Sequence, residues 1–169
     1  FAMEYIKGQT LKALLDAGIK LPIDRVREII HQVAEGLHHA HQNCIVHRDI
    51  KPGNIMLALN GSVKIMDFGI AISGAPDVAQ DTALVGTPYY MSPEQFLGGA
   101  LDQRVDIYAL GVVLYELLTG TQAFQASSID VLREKIIQQE PVPPSMLNSN
   151  LNRNFDRIIA RALHKSPEA

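Results

Sequence analysis

Cysteine is almost missing from this chain: Cys44 is the single one in 169 residues. One thiol excludes an intrachain disulfide framework and points to a reducing compartment, read here as the cytoplasm. An apolar run of about 18 residues is lacking too, so no segment reads as a membrane-spanning helix. Charge of one sign is not in excess. Fifteen Lys and Arg stand against 18 Asp and Glu, a formal net charge of −3. No whole-chain field therefore recruits nucleic acid or an anionic membrane surface. No basic-then-apolar leader opens the sequence. It begins at Phe1 in mid-pattern, and we expect a piece of a longer protein. What is present is ordinary: 47% hydrophobic and 20% charged residues, enough for one sizeable core.

Periodicity divides the chain. Phe1–Ile6 reads as a short strand leading into a bend. Thr10 is a candidate N-cap for a short helix carrying Leu11, Leu14 and Leu15, with Gly18 as its stop. Pro22 falls in the first turn of a second helix, where its missing N–H is tolerated. Val26, Ile29, Ile30, Val33, Ala34 and Leu37 then form one apolar stripe on a helix ending near His41. Ile55–Leu59 and Val63–Ile65 flank Asn60-Gly61, the pattern of a hairpin closed by a type I′ turn. Residues 70–93 lack a period and read as one long loop. Val105–Leu118 is apolar nearly all round, which predicts a helix buried on every side and ended by Gly120. Amphipathic helices follow at Ile129–Gln138 and Phe155–Leu163, joined through an extended linker from Pro141 to Pro144. The sum is a mainly α domain with one small β-hairpin.

Three strings carry chemistry: His47-Arg48-Asp49-Ile50-Lys51-Pro52-Gly53-Asn54, then Asp67-Phe68-Gly69, then Gly86-Thr87-Pro88-Tyr89-Tyr90-Met91-Ser92-Pro93-Glu94. Asn54 leads into the hairpin and Asp67 leaves it. Antiparallel strands lie about 5 Å apart, so these two oxygen ligands can converge on one hard cation. Mg²⁺ suits a site with few protein ligands, completed by phosphate and water. Asp49, in the loop feeding the same place, can orient a hydroxyl or take its proton. Lys51 sets a positive charge where a transferring phosphoryl group gathers negative charge.

In order and spacing these strings resemble the catalytic-loop, metal-binding and activation-segment signatures of the protein-kinase family. The resemblance covers the whole chain and implies an α+β parent fold. Residues 1–8 would be the end of an N-lobe strand and the hinge. Residues 9–169 would be the C-terminal lobe, with a long activation loop and without all or part of its last helix. The N-lobe would be absent. It further implies that Asp49 is the catalytic base, with Lys51 and Asn54 beside it, and that Asn54 and Asp67 hold metal. ATP with Mg²⁺, or Mn²⁺ as its alternative, would be the cofactors. Met3, Glu4, Ile6, Met56, Met66 and Asp67 would line the nucleotide. His47, Phe68 and Asp106 would be structural braces, with Asp106 supporting the catalytic-loop backbone. Arg48 would pair with a phosphorylated activation loop, Thr82 being the preferred site and Ser73 the next. Thr87 would pack on the catalytic loop. Glu94 would await an arginine beyond Ala169. Lys51 and Thr87 resemble the serine/threonine type, so a protein Ser/Thr hydroxyl is the implied substrate and the missing N-lobe the implied partner. Any membrane anchor of the parent lies outside these residues.

Other readings compete. A pseudokinase or docking scaffold would differ in an upstream lysine and glycine-rich loop, and every chemical position present here is filled. A small-molecule kinase shares the spacing of His47, Asp49 and Asn54 but lacks the segment from Thr87 to Glu94. His31, His38, His39 and His41 read as a solvated or packed helix face and not as metal ligands, since no cysteine and no HExxH accompany them. Cys44 reads as a small buried apolar residue.

Overall fold

The computed structural model describes residues 6–68 and 87–167, with Thr87 described in its backbone alone. Met3 and Glu4, Ser73 and Thr82, and the side chain of Thr87 lie outside the described residues.

The first described elements are a strand β1 (Gly8–Thr10) and a helix α1 (Leu11–Asp16). Thr10 is extended and its Oγ1 accepts from the Ala13 N–H at 3.2 Å, which caps α1. Gly18, two residues past the helix, has φ +67°. The long helix α2 spans Ile23–Gln42. Pro22 is its N-cap, one residue earlier than the first turn expected for it, and its carbonyl accepts from Val26 at 3.0 Å. Val26, Ile29, Val33, Leu37 and Ala40 are buried on one side, while Ala34 is exposed.

The hairpin consists of β2 (Ile55–Ala58) and β3 (Val63–Ile65). Its turn is not type I′, because Asn60 keeps a negative φ and only Gly61 is left-handed, at +87°. The Gly61 N–H bonds the Ala58 carbonyl and the Ala58 N–H bonds the Ser62 carbonyl, both at 2.9 Å. This is a three-residue loop: a type I turn followed by a left-handed glycine. The Asn60 side chain accepts from the backbone and hydroxyl of Ser62, a use for which it needs no positive φ. The sheet also has a third strand that periodicity does not show. β1 pairs antiparallel to β2 with Gly8 opposite Ala58 and Thr10 opposite Met56. Gly8-Gln9-Thr10 has no apolar alternation, and the free edge of β2 supplies its partners.

Of the stretch 70–93 read as one loop, Thr87–Tyr90 form a 3₁₀ turn and Pro93 opens the helix α3 (Pro93–Leu97). The central helix α4 (Arg104–Thr119) ends at Gly120, φ +73°. Burial on every side fails at Ile107, which is 49% exposed, and is only partial at Leu110, Glu116 and Leu117. The remaining helices are α5 (Ile129–Gln138), α6 (Pro144–Leu147) and α7 (Asn154–Ala162). The linker from Pro141 is thus extended only as far as Pro143.

α4 is the core's axis. Val112, Val113, Tyr115 and Leu118 join Val26, Ile29 and Val33 of α2 in one cluster that also takes Ile159 of α7 and Leu163. Gly111 lets α7 approach: a Cβ there would meet the Ala162 Cβ at 2.7 Å. The hairpin lies against α2, where a Cβ at Gly36 would meet Ile65 Cδ1 at 3.1 Å. Gln32 accepts from the Val63 N–H at 3.0 Å and Arg25 donates to the Gly61 carbonyl at 3.1 Å. The turn and the start of the hairpin's outer strand are therefore hydrogen-bonded to the helix on which Ile65 packs, which sets where the hairpin's base falls.

Candidate active site

The base of the hairpin and the loop before it form the site. Residues 43–54 leave α2 and fold back under the sheet. Asp106, in the first turn of α4, is fully buried. Its Oδ2 accepts from the His47 N–H at 2.9 Å and its Oδ1 from the Arg48 N–H at 2.7 Å. His41 Nε2 reaches the same Oδ2 at 2.7 Å. A buried carboxylate is costly unless its lone pairs are used, and these three donors use them.

His47 is 1% exposed, and both of its ring nitrogens are engaged. Nδ1 lies 3.2 Å from the Asp49 N–H and Nε2 lies 2.8 Å from the Met66 carbonyl. An N–H can only donate and a carbonyl can only accept, so the proton sits on Nε2. The ring thus ties the loop to the far end of the hairpin. Its edge meets Phe68 at 4.8 Å between centroids, with the planes 70° apart.

Asp49 is held by its neighbours. Its Oδ2 receives the Lys51 ammonium at 2.7 Å and Asn54 Nδ2 at 3.0 Å. Asn54 Nδ2 also donates to the Asp49 carbonyl at 2.9 Å, which leaves Asn54 Oδ1 as that side chain's acceptor. Asp49 Oδ1 is buried and has no hydrogen-bond partner among the described residues. Asn54 and Asp67 flank the base of the hairpin. The Asn54 carbonyl accepts from the Met66 N–H at 2.8 Å, and Asp67 follows directly, exposed and with φ +59°. Arg48, φ +67°, is left-handed as well. Non-glycine residues in this region are uncommon and cluster where the surroundings over-determine the backbone.

The structure brings Arg48, Asp49, Lys51, Asn54 and Asp67 together with His47, Phe68 and Asp106. Met56 and Met66 have the sheet parity opposite to Ile55 and Ile65, so they share the face turned away from the core. Ile6, half-buried, precedes β1. Glu94 stands apart, in a groove of about 450 Å³ between α3, α4 and α7 whose lining includes Arg104, Ile107, Ile158 and Arg161. Cys44 is exposed and not buried, since the tight turn after α2 gives it φ +59° and points it outward.

Two site residues escape sequence reasoning. His41 reads as one of several helix-face histidines, and nothing local marks a partner 65 positions away. Gln95 bonds the Arg48 carbonyl across 47 positions. Its spacing from Ser92 is a helix-capping signature that does point to Gln95, though not to Arg48.

A family model described as the protein kinase domain matches residues 1–169. The serine/threonine-protein kinase PknB of Mycobacterium leprae is 40% identical over 168 residues, covering 98% of this chain and 27% of that protein. A probable serine/threonine-protein kinase of Streptomyces coelicolor is 41% identical over 169 residues, covering 98% and 25%. One from Clostridium acetobutylicum is 40% identical over 167 residues, again 98% and 25%. The chain spans about a quarter of the length of the curated relatives it matches. A carboxylate fixed between a lysine and an asparagine under a short hairpin, on a chain that the family model matches from end to end, leaves one conclusion: the chain belongs to the protein kinase domain family.

Proposed function

We propose that this domain transfers the terminal phosphoryl group of ATP to a serine or threonine hydroxyl of a protein. The observation that carries the reading is Asp49. One of its oxygens is fixed by Lys51 and Asn54, and the other is buried and has no partner among the described residues. A buried acceptor without a donor is costly, and a substrate hydroxyl at Oδ1 would satisfy it. Asp49 would then orient that hydroxyl and take its proton, and Lys51 would balance charge on the group in transit.

The donor set fits a hard divalent cation. Asn54 Oδ1 and the Asp67 carboxylate are oxygen ligands at the two sides of the hairpin base, and Asn54 Nδ2 is committed elsewhere. These two would hold Mg²⁺, with Mn²⁺ as the alternative. When bound, the ion neutralises charge on the phosphates. Most of the catalytic effect asked of the protein is positioning, which the fixed loop supports. The face carrying Met56 and Met66 is placed for the flat side of the nucleotide. We also read residues 1–8 as strand end and hinge and the rest as the large lobe. No helix among the described residues is long and apolar enough to cross a membrane. The single cysteine, Cys44, agrees with a reducing cytoplasm.

The test is Asp49→Asn in the full-length protein. Phosphoryl transfer should fall by at least about 10²-fold, the scale of a lost general base, while ATP binding is retained. Normal turnover in that variant would overturn the reading.

A further inference from the structure

Gln95 is buried in α3, and its amide is used at both ends. Oε1 accepts from the Ser92 N–H at 2.9 Å and lies 3.3 Å from the Ser92 hydroxyl. Nε2 donates to the Arg48 carbonyl at 3.2 Å. The orientation of the amide is not arbitrary, because Ser92 offers a backbone donor and Arg48 a backbone acceptor.

The first contact is the reach-back half of a capping box. Either glutamate or glutamine can make it. Only glutamine can also donate to a carbonyl on its far side, and that second contact is what the residue adds. Its target is the left-handed residue directly before Asp49. Arg48 has φ +67°, its N–H is held by Asp106 Oδ1 at 2.7 Å, and its carbonyl is held by Gln95. Both polar groups of Arg48's own backbone are thus fixed by buried side chains from two different helices, directly before Asp49.

We propose that Gln95 is a positioning residue: its amide holds the Arg48 carbonyl, keeps that residue left-handed and so aims Asp49, coupling the segment entering α3 to the loop that carries out the chemistry. The inference rests on the reading of Asp49 as the residue that receives the substrate hydroxyl. The arrangement makes loop geometry conditional on the segment at Ser92–Gln95. Displacing that segment removes the Nε2 donor from Arg48 even if no residue of the loop is touched.

The test uses the full-length protein with myelin basic protein as the phosphate acceptor, and compares Gln95→Glu, Gln95→Met and Asp49→Asn with wild type. Gln95→Glu keeps size and capping contact and loses only the donor. At about pH 8, kcat should fall about ten- to a hundredfold with the KM for ATP unchanged, the signature of a misplaced catalytic group. Burial raises the pKa of the new carboxyl, and once protonated it donates to Arg48 again. The ratio of variant to wild-type kcat should therefore climb toward one as the pH falls to about 5.5, beyond the ordinary carboxylate range because of that burial. Gln95→Met should lose kcat with no such recovery. Wild-type kcat in either variant, or a Gln95→Glu ratio that does not move with pH, overturns the proposal and leaves Gln95 a helix cap. An active Asp49→Asn overturns the functional reading instead. An inactive Asp49→Asn beside a wild-type Gln95→Glu rejects the coupling alone.

Discussion

Lys165 is a cation placed where water cannot reach its charge. Its Nζ is buried without a hydrogen-bond partner among the described residues. It faces the ring of Phe124 at 4.4 Å and that of Tyr108 at 6.0 Å. Burial lowers its pKa from the ordinary 10.5 to about 8, against the upward pull of Glu140. The sign of the consequence follows from linkage. Between about 8 and 10.5 the unfolded chain keeps a proton on this lysine that the folded chain has released, so its contribution to stability rises with pH across that window. Lys165→Met should therefore melt above wild type at neutral pH, and the gap should close as the pH passes from about 8 to 10.5. A variant that melts below wild type at neutral pH would mean that the ring faces outweigh the desolvation cost. The same scale separates what sequence can say from what it cannot. Asp49, Lys51, Asn54 and Asp67 stand out in the chain because they fall in strings that resemble the protein-kinase signatures, and the structure brings them together. His41 and Gln95 are not, because each is defined by a partner 65 or 47 positions away.

At the scale of elements, the period of the apolar residues carries most of the fold. The apolar stripe of α2 and the near-continuous run of α4 give their buried faces directly, and Thr10 and Gly120 give ends. What periodicity leaves out is anything made by a neighbour. β1 exists because β2 has a free edge, the turn at Gly61 is settled by the bonds between Ala58 and Ser62, and Ile107 is exposed at the groove beside α7. The contact of α4 with α7 gives a prediction at this level. Gly111→Ala would drive a methyl to 2.7 Å from the Ala162 Cβ and 3.1 Å from Leu163 Cδ2. Neither α4 nor α7 can yield without disturbing the core, so the cost should be about 1–3 kcal/mol. Gly53→Ala is the control, since a Cβ there meets nothing within 4 Å among the described residues and Gly53 lacks a positive φ. It should be neutral, or stabilising by a few tenths of a kcal/mol, about the scale of a lost unfolded-state freedom. Urea midpoints of the two variants decide it: a Gly111→Ala midpoint equal to that of Gly53→Ala would mean that α7 slides freely on α4.

For the whole molecule, the question is how a site built on loops stays rigid. Loops usually open more readily than the elements they join. Here the loop is tied to the core's axis by one side chain. Asp106 rises from α4, takes both backbone donors of His47 and Arg48, and takes His41 from the end of α2. Helix, helix and loop thus share one buried anion, and the loop can open only by leaving that charge unpaired. The amides of His47 and Arg48 should then exchange with solvent about as slowly as the core amides of α2 and α4, because only a global opening frees them. The Asn60-Gly61 end of the three-stranded sheet is held to α2 by Arg25 and Gln32 and not by a buried carboxylate, and amides there should exchange faster. Asp106→Asn is the decisive variant. Its amide still offers one acceptor but turns a donor toward backbone N–H groups, so a charge-assisted bond is replaced by a clash of donors. Hydrogen bonds to charged groups contribute about 1.5–3 kcal/mol each, and a buried network broken on one side costs about 3–5 kcal/mol. In the variant, the His47 and Arg48 amides should lose protection by a larger factor than amides in α7 or at the tip of the hairpin. Uniform loss across the molecule would show that Asp106 serves general stability alone. Loss concentrated at His47 and Arg48 would show that the core's central helix sets the rigidity of the site through a single carboxylate.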